Sequence, residues 1–184
     1  MLTDEKKKIL LNLARNIIES YILKGIMPKF ETDDPDLAQK AGAFVTLHKK
    51  DMLRGCIGII ESNSKLYETI IEMAIEAARN DPRFPPVNEY ELKDIDIEIS
   101  VLSPPKKVES IDDIELGKHG VIVRRGFASG VFLPQVAKET GWSKEEFMRH
   151  LCRDKAGLKE DAFRDKGTEI YVFTAEVFGE KDFK

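Results

Sequence analysis

The sequence predicts an α+β fold, mainly antiparallel sheet with helices packed against it. Three observations carry this. Residues 43–58 read as two apolar strands around the polar turn Lys49-Lys50-Asp51. Residues 94–101 alternate strictly between polar and apolar side chains. Segments with apolar residues at helical spacing flank these strands, without the regular βαβ alternation of a parallel sheet.

In order, the chain opens with a helix. Thr3 is placed to cap it, and Asp4 and Glu5 complement the dipole of its first turn. Ile9, Leu10, Leu13, Ala14, Ile17 and Ile18 recur at helical spacing until Gly25 stops the run. Residues 26–41, rich in Asp and Pro, read as loop, and the hairpin follows. Ser62-Asn63-Ser64 caps a second helix with a core stripe of Leu66, Ile70, Met73, Ala74 and Ala77. That helix ends at Asn80, because Asp81-Pro82 disfavours its continuation. Arg83-Phe84-Pro85-Pro86 is a stiff loop. In the strand 94–101, Ile95, Ile97, Ile99 and Val101 face inward. Residues 106–118 read as irregular, with one short turn at 111–116. Strands at 121–124 and 131–133 are joined by a turn over 126–130. Residues 135–139 form a short helix broken at Gly141. Ser143 and Glu146 make a capping box, with Trp142 and Phe147 as its hydrophobic staple, for a helix reaching Lys155 and stopping at Gly157. Residues 168–178 read as one last strand.

Composition narrows the function classes. A chain of 184 residues suits one domain and buries roughly 70% of its unfolded surface. Its net charge of −4, from 29 basic and 33 acidic residues, gives no basic stripe for nucleic acid or an anionic membrane. No apolar run is long enough to cross a membrane, and the first residues enter a charged amphipathic pattern rather than a signal peptide. Two distant cysteines, Cys56 and Cys152, predict a reduced, cytoplasmic protein with free thiols.

The hairpin carries the candidate chemistry. Pairing Leu47 with Leu53 and Val45 with Gly55 collects Ala43, Val45, Leu47, Leu53 and Ile57 on one face. Lys49-Lys50-Asp51 is then a three-residue loop, with Asp51 able to adopt a left-handed conformation. The other face sets Phe44 opposite Cys56, Thr46 opposite Arg54 and His48 opposite Met52. Gly55 and Gly58 leave room for another backbone or a ligand. A thiolate is the reactive form of cysteine, and it needs a cation or base nearby. Arg54, His48 and His119 are the candidates to supply one. The alternative for Cys56 is a small buried hydrophobe, the commoner fate of a free cysteine. Arg54 can grip a carboxylate or phosphate in bidentate fashion, or pair with Asp96, Glu98 or Asp81. His119, in a glycine-flanked Lys-His pair, suits a general acid or base, or simply a tight turn.

No metal or cofactor is expected. His150 and Cys152 stand two apart on a helix and diverge, and the other His and Cys residues lack ligand spacing. Asp94, Asp96 and Glu98 read as the solvent side of a strand. Phosphate-binding glycine loops are missing, and Ser129 misses the Gly-x-Ser-x-Gly elbow.

Leu53-Arg54-Gly55-Cys56-Ile57-Gly58 resembles the hallmark of the AMMECR domain family. The resemblance extends through 42–47, Asp81-Pro82-Arg83-Phe84-Pro85-Pro86, 100–104, His119-Gly120-Val121, 132–137, Trp142, Leu151-Cys152 and 155–158. It implies a two-lobed single domain over 1–184, the larger lobe from the N- and C-terminal parts and the smaller from part of the middle. It implies no particular reaction. It implies a pathway shared with Memo-like and radical-SAM proteins, and favours functional roles for Arg54, Cys56, Asp81, Arg83 and His119. The resulting expectation is a small enzyme or enzyme component with a cleft around Arg54 and Cys56. Cys56 is its nucleophile or redox-active thiol and His119 its acid/base. Arg54, Thr46, His48, Gly55, Gly58 and Arg83 surround a small anionic substrate. The alternatives are a non-catalytic module docking such partners and a nucleic-acid-associated regulator, the latter against the charge balance.

Overall fold

The computed structural model describes residues 1–183. Its helices are α1 (Asp4–Lys24), α2 (Pro35–Ala38), α3 (Leu66–Arg79), α4 (Pro134–Thr140) and α5 (Lys144–His150). Its strands are β1 (Ala43–Lys49), β2 (Met52–Ile59), β3 (Ile95–Leu102), β4 (Lys106–Val108), β5 (Gly120–Arg125), β6 (Ala128–Phe132), β7 (Glu169–Phe173) and β8 (Ala175–Gly179). The fold is α+β, and the chain divides into two compact units.

The first unit comprises Met1–Leu102 and Glu176–Lys184 and holds the sheet β2-β1-β3-β8. Thr3 caps α1 by accepting the Lys6 N–H at 3.4 Å, and Gly25 ends it at φ +66°. Ala43, Val45 and Leu47 of β1 and Ile95, Ile97 and Ile99 of β3 are buried with Leu10, Ile17, Ile70 and Ala74 of α1 and α3 in one core. Strand alternation supplies one layer of that core and helical periodicity the other. One short helix lies where loop was expected, and a second precedes β3 where no element was assigned. Asp34 caps α2 with Pro35 in its first turn. A 3₁₀ turn at Glu89–Asp94 is boxed by Asn88 and Glu91. For α3, the expected Ser62-Asn63-Ser64 cap is displaced. Lys65 is the N-cap, its N–H donates to Glu68, and Ser62 instead accepts from the Thr69 hydroxyl at 2.9 Å.

The second unit, Ser103–Ala175, holds the sheet β4-β7-β5-β6. Val121, Val123, Phe132, Phe147, Leu151, Phe163 and Val172 form its core. The Ser143–Glu146 capping box is present at 3.3 and 2.9 Å. Trp142 stacks flat on His150 at 3.9 Å, and the ring lying nearest Phe147 is that of Phe132 at 5.0 Å. Helix α5 ends in one π turn, Leu151–Lys155. Gly130, expected in the turn, sits within β6, where an added Cβ would lie 2.5 Å from the Ala156 nitrogen. The single strand expected over 168–178 is two strands in different sheets, broken at Thr174. Ser103 explains the break: its N–H donates to the Thr174 carbonyl at 2.9 Å, and its hydroxyl accepts the Thr174 N–H at 3.0 Å. Both peptide groups are thereby withdrawn from a ladder.

Candidate functional site

The hairpin β1–β2 departs from the expected register by two residues, one from a shorter loop and one from a bulge. Val45 faces Ile57, Thr46 faces Cys56 and Leu47 faces Gly55, yet His48 faces Leu53. Arg54 is thus the extra residue on β2. The loop is correspondingly shorter: Lys50 and Asp51, at φ +51° and +64°, form a two-residue turn. The expected three-residue loop and the pairings Thr46–Arg54 and Phe44–Cys56 are corrected. The face assignment survives for Thr46 and Cys56, which lie directly opposite each other, and the Thr46 hydroxyl donates to Cys56 Sγ at 3.2 Å.

Arg54 is largely buried, and its guanidinium is met by Glu91. Nε donates to Oε1 at 3.0 Å and Nη2 to Oε2 at 2.9 Å. Lys49 Nζ reaches the same carboxylate at 2.9 Å. The Phe84 ring lies 5.9 Å from the guanidinium carbon. Arg54 first, then Lys49 and the Asn88 N–H, pull the Glu91 carboxyl down to about 2, against the effect of its own burial. None of the carboxylates expected for Arg54 is the partner. The bidentate edge that would grip a substrate anion is already filled.

Both peptide groups of Cys56 are held at the outer edge of the sheet. Its N–H donates to Asp81 Oδ2 at 2.8 Å, and its carbonyl accepts from Arg83 Nη2 at 3.2 Å. Asp81, only 3% exposed, binds Arg83 through Nε at 2.9 Å and Nη2 at 2.7 Å. Arg83 and the Cys56 and Arg83 N–H groups hold the Asp81 carboxyl well below the usual carboxylate range, against its burial. Arg83 is raised in turn, chiefly by Asp81 and in smaller part by Cys56. Its side chain is 53% exposed, and the Cys56 thiol is half-buried.

The two glycines open no ligand space. A Cβ on Gly55 would stand 2.3 Å from the Ala77 carbonyl oxygen of α3, and one on Gly58 would stand 2.2 Å from the Phe44 ring. The protein's own atoms fill both gaps. His48, between Leu53 on β2 and Asp96 on β3, is two residues along β1 from Thr46. His119 belongs to the second unit, where its Nδ1 accepts the Glu115 N–H at 3.0 Å and its own N–H returns to the Glu115 carbonyl at 2.9 Å. The arrangement is a turn histidine. Cys152 lies fully buried in that unit's core, and burial pushes its thiol up.

The structure therefore brings Thr46, Cys56, Asp81 and Arg83 together, with Arg54 beside them in its own ion pair. The residue that sequence reasoning missed is Glu91. Its signal was the Asn88-x-x-Glu91 capping pattern, which also supplies two hydrogen bonds to Asn88, at 3.2 and 3.0 Å. Among the described residues, no three His, Cys, Asp or Glu side chains are grouped to hold a metal ion, and no helix is long and apolar enough to cross a membrane.

Comparison with known proteins adds the lineage. The AMMECR1 family profile matches residues 11–178. Protein MK0488 of Methanopyrus kandleri is 48% identical over 192 residues, covering 98% of this chain and 91% of its own. A Methanothermobacter thermautotrophicus protein is 47% identical over 186 residues, covering 97% and 96%. The crystal structure of protein PH0010 from Pyrococcus horikoshii superposes with a TM-score of 0.87 at 41% identity, covering 98% of this chain and 94% of that one.

Proposed function

The chain belongs to the AMMECR1 family, and within that fold we propose that it works as a small enzyme or enzyme component whose working group is the Cys56 thiol. The observation carrying this reading is how the motif is used. Arg54 is locked to Glu91, Gly55 against α3 and Gly58 against Phe44, while Asp81 and Arg83 clamp the Cys56 peptide. Cys56 is half-buried, with a hydroxyl donor on one side of its sulfur and a half-exposed guanidinium nearby. A donor and a cation stand where a thiolate's charge needs stabilising. Cys56 is the nucleophile or redox-active thiol. Arg83, whose Nε/Nη2 edge is likewise held by a carboxylate but whose side chain is 53% exposed against 11% for Arg54, takes the anion-binding part first expected of Arg54, and Thr46 orients the sulfur. Arg54 is structural, paired with Glu91 away from the thiol. The substrate is a small anionic electrophile, in a pathway shared with Memo-like and radical-SAM proteins.

Charge selectivity tests it. In a Cys152→Ser background, the ratio of Cys56 alkylation by anionic iodoacetate to that by neutral iodoacetamide is expected to fall several-fold in Arg83→Gln. Arg54→Gln is expected to leave the ratio alone. An unchanged ratio in Arg83→Gln contradicts the anion-binding assignment.

A second reading, a docking module without catalysis, has its own observation. Met52 and Leu53, at the turn end of β2, are 70% and 41% exposed. Under that reading Met52→Glu with Leu53→Glu abolishes capture of a Memo-like or radical-SAM protein. Cys56→Ser leaves capture intact.

A further inference from the structure

One face of α3 lies away from the Cys56 site at the margin of the first core, with Tyr67 buried in that core and Ile71 and Ile75 packed against it. Along it Tyr67, Ile71 and Ile75 recur every four residues, and beside them Glu68, Glu72 and Glu76 recur at the same spacing. Both rows line a groove of about 630 Å³, with Phe30 and Met27 also on its walls. Phe30 meets Tyr67 edge to face at 5.5 Å, which makes an aromatic floor. Ile71 and Ile75 are half-buried, and Met27 is 52% exposed. Leu23 and Ile26, on the approach to Met27, are more than half exposed as well.

Carboxylates outnumber cations around this apolar strip, where Lys29, Lys65 and Arg79 are the cations. Glu31 joins the three glutamates of α3 on the lining, against the single ammonium of Lys29. Like charges four residues apart on a helix repel. Glu68 accepts the Lys65 N–H and Glu76 accepts from Asn80, but Glu72 and Glu31 make no ion pair among the described residues. The groove's aromatic rings already carry cations from this chain: Lys65 lies 5.6 Å from the centre of the Tyr67 ring, and Arg79 5.6 Å from that of Tyr21.

We propose that this groove docks a basic amphipathic helix of a partner protein. The apolar row of that helix lies along Ile71 and Ile75 over the Tyr67 floor, and its Lys or Arg row lies along Glu68, Glu72 and Glu76. The match is one of period as well as charge, since two helices bring rows of the same four-residue spacing together. Residues 67–76 span about 14 Å of helix axis, so about ten partner residues cover the strip. The site is separate from the thiol and does not depend on the function proposed for it.

A fluorescein-labelled Leu/Lys peptide of about 18 residues, with its leucines on one helical face, is titrated against the whole chain at physiological salt. Saturable micromolar binding is expected. It weakens about ten-fold or more in Glu68→Lys with Glu72→Lys, and also in Ile71→Gln, which removes apolar contact without touching charge. Glu109→Lys with Asp112→Lys in the second unit makes the same net-charge change and leaves binding intact. Circular dichroism and melting verify that each variant is folded. Equal loss in the second-unit variant reduces the effect to bulk charge and overturns the proposal, as does equal binding of a Leu/Glu peptide with the same apolar face. Absence of saturable binding overturns it too. So does a concentration-dependent dimer that Glu68→Lys with Glu72→Lys dissolves, because the groove then belongs to a second copy of this chain.

Discussion

At Arg54 the guanidinium meets a carboxylate that lies outside the motif, and this decides what the residue does. A charge this buried is tolerated only when paired, and Glu91 pairs it through two hydrogen bonds at 3.0 and 2.9 Å. Arg54→Ala leaves Glu91 with Lys49 as its one cation beside the Asn88 hydrogen bonds, and is expected to lower stability by about 3 kcal/mol, measured by urea unfolding. Native-state alkylation of Cys56 should persist in that variant. Glu91 also sets an acid limb. Its folded value of about 2 lies below its ordinary 4.5, so between these the unfolded chain binds more protons. The stabilisation is complete above about 4.5 and is lost as pH falls through about 2. Glu91→Gln should flatten the stability–pH curve in that window, and an unchanged slope there would count against the ion pair. That Thr46 and Cys56 share a face was legible from strand alternation. Glu91 was not, because a partner 37 residues away is fixed by tertiary packing and not by spacing.

At the scale of elements, most helices and strands were legible where periodicity and punctuation agreed. Thr3 and Gly25 bound α1, and the isoleucines of β3 face inward as their alternation required. The hairpin register was not legible. Hydrophobic parity fixes which face a residue occupies, but not whether an extra residue sits in the loop or in a bulge. Here it sits at Arg54, and a two-residue turn at positive φ follows. Lys50→Asn, better suited to φ +51°, should stabilise the protein by about 0.5–1 kcal/mol in thermal unfolding. The glycines of β2 separate by what they face. Gly55→Ala would press on the backbone carbonyl of Ala77, which cannot step aside without moving α3. Gly58→Ala would press on the side chain of Phe44. Gly55→Ala should therefore be the more destabilising in urea unfolding, at about 3 kcal/mol or more. The break at Thr174 was equally hidden, since Tyr171–Phe178 keeps its apolar character across a point that Ser103 interrupts.

At the scale of the whole molecule there are two cores, one around Leu10, Ile17, Val45 and Ile97, the other around Val121, Phe147 and Leu151. Phe147→Ala should cost about 4 kcal/mol within its own unit, and hydrogen exchange should show lost protection concentrated in residues 103–175. The cores also divide the two thiols. Cys152 is fully buried in the second, with its thiol pushed up, whereas Cys56 stands half-exposed on β2 of the first. That contrast supplies an internal control for the proposal that the motif holds Cys56 ready to react. The most direct test is time-resolved mass spectrometry of iodoacetamide labelling of the folded wild-type chain, with each cysteine followed separately. The account predicts prompt labelling of Cys56 at a rate insensitive to destabilising changes such as Phe147→Ala, while Cys152 labels only as the chain unfolds. Labelling of both cysteines at one slow rate that tracks global unfolding would contradict it, and would make Cys56 a packing residue of the sheet.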